Sequence, residues 1–132
     1  MKKLLNLLLI VGLCLSIASC EKKHEEVDYN EKILGKWQQY KSEYQDGTIH
    51  EYEEVYEVYR EDGTGYFQEE WNGEIIKEYF KWTLADDILE TWSIEYPEDG
   101  VTSAIITTLT NKEMVLKELG ERGRLYYYKK VN

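Results

Sequence analysis

Few side chains in this 132-residue chain belong to types that do chemistry. It has two histidines, His24 and His50, and two cysteines, Cys14 and Cys20. A catalytic zinc site takes three protein ligands, commonly rich in His, and two widely separated histidines do not assemble one. A Ser-His-Asp triad would have to use His50, and the chain carries no Gly-x-Ser-x-Gly nucleophile elbow. His50 reads instead as an exposed strand residue. Carboxylates are plentiful, with Glu51, Glu53, Glu54, Glu57, Glu61 and Asp62 clustered in one region. Glycosidases use a carboxyl pair roughly 5–9 Å apart, but among 26 acids some pair meets that spacing by coincidence. The cluster has the charge to take a cation or a basic partner, yet a solvated acidic face is the simpler reading. Pro97-Glu98-Asp99-Gly100 lacks the spaced oxygen ligands of a calcium loop and reads as a turn. These residues point to no enzyme, no metal and no cofactor.

Cys20 carries the most specific chemistry. Met1-Lys2-Lys3 is a positive end, and Leu4 to Ile17 is nearly all apolar. That run is short for a membrane span, which needs ~20 residues, and suits the apolar region of a signal peptide over residues 1–19. Ile17-Ala18-Ser19-Cys20 resembles the lipobox of bacterial lipoproteins. The resemblance implies cleavage before Cys20 and acylation of its sulfur and new amino group, palmitate among the chains. Several acyl chains hold a protein on a membrane where one does not. The expected location is therefore the cell envelope, anchored to the outer membrane on its periplasmic face or at the cell surface. Removing Cys14 and acylating Cys20 leaves no disulfide and no thiol nucleophile. The domain must then stand on its own core.

Charge narrows the partners. All 26 acids follow Cys20, so loss of Lys2 and Lys3 takes the net charge from −10 to −12. Nucleic-acid binding needs basic patches, and anionic lipid attracts basic segments. The acidic balance argues against both and serves solubility.

The elements that would position any site are strands. Residues 20–30 are polar and aperiodic beyond Cys20, a flexible tether. Asn30 is suited to cap one helical turn over Glu31 to Leu34. Turn chemistry then marks off eight strand segments in residues 31–132. They run from about Lys36 to Tyr44, Thr48 to Arg60, Gly65 to Trp71, Glu74 to Leu84, Ile88 to Tyr96, Val101 to Thr110, Met114 to Leu119 and Arg124 to Val131. Asn72-Gly73 is the strongest hairpin signal. Alternation puts Phe67 with Trp71; Ile76 with Phe80, Trp82 and Leu84; Ile88 with Trp92, Ile94 and Tyr96; and Val101 with Ile105 and Leu109. Eight antiparallel strands with short connections close most simply into an all-β up-and-down barrel, which leaves no exposed edge. A two-sheet sandwich is the alternative.

Gly35-Lys36-Trp37 opens the first strand, where Gly permits a tight turn and Trp can plug a barrel end. Tyr59 to Gly65 holds an aromatic-x-x-Asp-Gly-Thr turn. Lys81-Trp82-Thr83-Leu84 leads to Asp87-Ile88-Leu89. Ile106 to Thr110, Met114-Val115-Leu116 and Tyr126 to Lys130 close the chain. In this order, the stretch from about Ile33 to Val131 resembles the lipocalin-like lipoprotein domains of Bacteroidetes-type bacteria. The resemblance implies a lipocalin-like barrel more than an activity. Larger lipocalins set an Arg from the last strand over the opening Trp, a cation–π contact; here Arg124, Lys129 and Lys130 are the candidates.

Four Trp and twelve Tyr exceed what a small core needs. Trp37, Phe67, Trp71, Phe80, Trp82, Trp92 and Tyr127 are the residues expected to line the barrel interior and any ligand site. An eight-stranded barrel is just wide enough to be filled by side chains or to hold one small ligand. So many rings favour a mostly filled interior with a shallow mouth pocket. The leading expectation is a lipid-anchored binder of a small apolar or amphipathic ligand at the barrel mouth. The alternative is a protein-interaction or inhibitor module that uses exposed Tyr and the acidic second segment against a basic protein partner.

Overall fold

The computed structural model describes residues 28–132. The leader, Cys20, His24 and most of the tether lie outside them. One short helix, α1 (Tyr29–Lys32), precedes nine strands: β1 (Gly35–Glu43), β2 (Ile49–Glu51), β3 (Val55–Tyr59), β4 (Thr64–Trp71), β5 (Glu74–Ala85), β6 (Ile88–Ser93), β7 (Val101–Leu109), β8 (Glu113–Glu118) and β9 (Leu125–Val131). Neighbours pair antiparallel, and β9 returns to pair with β1, so the sheet closes. β2 pairs with Lys41 to Glu43 of β1, and β3 with Gly35 to Gln38. β2 and β3 therefore share one position, and the architecture is an eight-stranded barrel, not a sandwich.

Two expected elements are corrected. The second segment is not one strand, because it breaks at Tyr52 to Glu54. Gln38 Nε2 donates to the Glu53 carbonyl at 2.7 Å across the break. The helical turn starts earlier than expected, with Asp28 as its cap: the Asn30 amide donates to Asp28 Oδ1 at 3.1 Å. Asp and Asn cap about equally well, and the earlier start delivers Ile33 into the barrel, where it is fully buried.

Chain direction defines two ends. α1, the Arg60 to Gly63 turn, Asp86-Asp87 and Thr110 to Lys112 lie at one end, the base. The segments 44–48, 72–73, 94–100 and 119–124 lie at the other, the mouth. Local chemistry explains the sharpest turns. Asn72 (φ 51°) and Gly73 (φ 80°) both sit in left-handed space, as a type I′ hairpin requires. At the base, Asp62 Oδ1 accepts from the Thr64 amide at 3.0 Å and its hydroxyl at 2.6 Å, which is why Asp-Gly-Thr works there.

Two register shifts decide which residues face inward. One lies in β1 between Gln39 and Lys41, against β9; the other in β7 between Ile106 and Thr108, against β8. An extra residue in one strand reverses the alternation beyond it. β1 therefore buries Trp37, Gln39 and then Ser42, and β7 buries Ala104, Ile106 and then Leu109. The expected Val101–Ile105–Leu109 face is thus split. β6 also differs from expectation, because Leu89 faces the core while Ile94 and Tyr96 are exposed.

The core fills the base. Ile33, Trp37, Tyr59, Trp82, Leu109 and Met114 are all buried in one cluster. Trp37 Nε1 donates to the Ile33 carbonyl at 2.8 Å, so the indole is satisfied at zero exposure. Tyr59 meets Phe80 and Trp82 edge-on, with centroids 5.5 and 5.7 Å apart. Gly65 lies opposite both Tyr59 and Phe80. A Cβ there would meet the Val58 carbonyl oxygen at 2.2 Å and the Phe80 ring at 2.7 Å, so only Gly lets the rings close over the strand.

Candidate functional site

Above the packed base, the barrel is hollow. A cavity of about 620 Å³ occupies its interior, within the range of small-molecule sites. The expectation of a mostly filled barrel with a shallow mouth pocket is corrected. The excess rings are spent elsewhere: several tyrosines stand on the outer wall, and the tryptophans concentrate at the base and rim.

The seven aromatics expected to line the interior separate into three groups. Phe67 and Phe80 turn into the cavity, while Trp92 only borders it at the upper end of β6: it pairs with the exposed Lys81 and Val101 and is out of phase with the inward Leu89. Trp37 and Trp82 are inside the barrel but in its base, beneath the cavity. Trp82 Nε1 donates to the Arg60 and Thr64 carbonyls at 3.2 and 3.0 Å, pinning the β3–β4 turn. Trp71 and Tyr127 do not line the cavity. Trp71 has the inward parity of Phe67, but β5 runs past the end of β6, and the β4–β5 hairpin projects beyond the rim. Trp71 is consequently 63% exposed. Tyr127 stands on the outer wall, with Lys41 Nζ 4.0 Å from its ring centroid and its hydroxyl donating to Glu43 at 3.0 Å. Its neighbours Tyr126 and Tyr128 face inward. Three consecutive tyrosines carry no parity signal of their own; the pairing of Tyr128 with Gln39 sets it.

Glu57 is the residue of most consequence that the sequence does not single out. Five of the six clustered acids, Glu51, Glu53, Glu54, Glu61 and Asp62, are exposed as a solvated face requires. Glu57 instead enters the barrel. It shares the inward parity of Tyr59, and the burial of that Tyr beside Gly65 is the signal that would have located it. Tyr59 donates to Glu57 at 2.8 Å and Tyr128 at 3.3 Å, so two hydroxyls converge on one carboxylate. Removal from water raises the Glu57 pKa, and the two hydrogen bonds oppose that rise without cancelling it. Burial, and then the nearby Glu57 charge, push the Tyr59 and Tyr128 hydroxyls well above their ordinary range.

Register places Glu57, Phe67 and Glu78 opposite one another on three adjacent strands, so the Phe67 ring lies between two carboxylates. Glu69, Asp99 and Glu118 also line the cavity, against one guanidinium, Arg124. Arg124 stands at the mouth end, 4.2 Å over the Tyr44 ring and 5.7 Å over Tyr126. Tyr126 donates to Glu118 at 3.3 Å. His50, on β2, is exposed and packs edge-on against Tyr44 at 5.2 Å. Among the described residues, no three His, Cys, Asp or Glu side chains are grouped to hold a metal.

Solved structures share the architecture. A lipocalin-like protein from Bacteroides uniformis superposes with a TM-score of 0.66 at 16% identity, over 76% of this chain and 99% of that one. An uncharacterized protein from Bacteroides eggerthii gives 0.63 at 18% identity, over 75% of this chain and 99% of that one. At such identities the likeness is one of fold. No protein-family model matches the chain. No curated protein matches it either.

Proposed function

We propose that the protein is a lipid-anchored, non-catalytic binder that holds a small apolar or amphipathic ligand inside the barrel. The observation that carries this reading is the cavity of about 620 Å³, walled by Phe67, Phe80 and the inward Tyr59, Tyr126 and Tyr128. Burial of the ligand's apolar surface supplies the affinity, and a few polar groups orient it. The lipocalin-like barrel supports ligand binding as a class and leaves the ligand open.

Anchoring rests on Ile17-Ala18-Ser19-Cys20, and with it the outer-membrane location. The fold adds a geometric consequence. The described chain enters at the base, at the end of the barrel opposite the mouth.

The test is quenching of Trp fluorescence across a panel of lipids, haem and bile-acid-type amphiphiles. Saturable quenching by at least one class is expected, because Trp82 lies directly beneath the cavity. A flat response across the panel removes the reading. The interaction-module alternative expected a filled barrel, and the open interior counts against it. A basic protein partner captured from envelope extract at low salt and lost at high salt would revive it.

A further inference from the structure

The charge and the rings that line this cavity narrow its ligand. We propose that the occupant is an organic cation, an apolar body carrying an ammonium group, seated with its charge against Glu57, Phe67 and Glu78. The inference rests on the cavity being a ligand site and names the class of ligand.

Three observations converge on it. The lining sets five carboxylates against one guanidinium. That guanidinium is at the mouth, spread over Tyr44 and Tyr126, and does not reach the floor. Glu57 receives two tyrosine hydroxyls and no lysine or arginine, so no basic side chain occupies the place a ligand's cation would take.

The second observation is the register. Glu57, Phe67 and Glu78 occupy one row of the inner wall. Adjacent strands are about 4.8 Å apart, so the carboxylates of the outer two arise roughly 10 Å from each other with a ring between them. A cation placed over the Phe67 face is attracted by the ring's negative face and by a carboxylate on either side. An anion in the same place is repelled by all three, and a neutral group gains none of these attractions.

The third is the remaining wall. Tyr52, Phe80, Leu116 and Tyr126 supply apolar and aromatic surface for the body of the ligand. A hydrated metal ion would leave that surface unused. An aliphatic or aromatic amine uses both halves of the site.

The test holds the apolar body constant and changes the head group. Binding of 4-phenylbutylamine, 4-phenylbutanol and 4-phenylbutyrate is measured by titration calorimetry at neutral pH, with decyltrimethylammonium, decanol and decanoate as a second series. In each series the cation is expected to bind at least about tenfold more tightly than the alcohol, and the carboxylate most weakly. Glu57→Gln combined with Glu78→Gln should bring the cation to the affinity of the alcohol while leaving alcohol binding in place. The head-group comparison uses the unaltered protein, so it stands even where the double variant does not fold. If alcohol or carboxylate binds as tightly as the cation, the inference is overturned and the cavity remains a ligand site. If no member of either series binds, both fall.

Discussion

Lys130 Nζ stands 4.4 Å from the centroid of the Trp37 ring, and the same ammonium donates to the Leu34 carbonyl. Of the three basic residues near the end of the chain, only Lys130 covers the opening Trp. Trp37 and Lys130 are register partners on β1 and β9, and both face inward at the base. Lys129 is one residue out of phase and lies over Tyr40 on the outer wall at 4.5 Å, while Arg124 is at the mouth. Gly35 makes the contact fit. It has φ +113°, and a Cβ there would lie 2.8 Å from Lys130 Nζ.

The base closure should therefore be sensitive at both partners. Lys130→Met loses the cation–π contact and a hydrogen bond, and is expected to lower unfolding stability by about 1 kcal/mol. Gly35→Ala forces a side chain into left-handed backbone and into the ammonium, and should cost more, roughly 1–3 kcal/mol. Urea unfolding of the two variants checks the order. A Gly35→Ala variant as stable as the unaltered protein would contradict the account.

Gly65 offers a harsher test of packing. Alanine there meets backbone, which cannot swing aside, as well as the Phe80 ring. Gly65→Ala is expected to destabilise by about 3 kcal/mol or more, whereas Gly47→Ala meets nothing within 4 Å and suffers only its φ of +88°. Thermal unfolding should rank Gly65→Ala well below Gly47→Ala.

Glu57 predicts a pH dependence. Its folded pKa is raised above the unfolded value by burial, so the folded state binds the proton more tightly. That contribution to stability is fully present below the ordinary carboxylate range and is lost as pH rises through the raised folded value. Glu57→Gln should flatten the decline across this acidic-to-neutral window. Tyr128→Phe removes a hydrogen bond that favours the charged form and should raise the Glu57 pKa further. Carboxyl NMR titration measures the second effect, and chemical unfolding across pH measures the first. A Tyr128→Phe variant whose Glu57 titrates lower would contradict the assignment.

The tryptophans report on ligand entry with different weights. Trp82 lies beneath the cavity, Trp37 is sealed in the base, Trp92 borders the rim on the outer-face parity, and Trp71 projects from the hairpin. Trp71→Phe should leave ligand-induced quenching in place and change stability by no more than about 0.5 kcal/mol. Tyr127→Phe, on the outer wall, should not alter ligand affinity in the same titration.

Local chemistry was legible in the sequence wherever a few neighbouring residues settle a conformation. The eight barrel positions, the Asn72-Gly73 hairpin, the Asp-Gly-Thr turn and the Gly35-Lys36-Trp37 opening all follow from backbone preferences and alternation within short windows. The break at Tyr52 to Glu54 and the shifts in β1 and β7 depend on partners far along the chain, and each moves side chains to the other face of the sheet. For that reason Tyr127 lies outside while Tyr126 and Tyr128 lie inside, and one glutamate of an acidic run enters the barrel. Whether the barrel was filled or hollow was likewise a tertiary outcome. Volume depends on which rings the closed sheet turns inward, and that is decided only when β9 pairs with β1 and Lys130 comes to rest over Trp37.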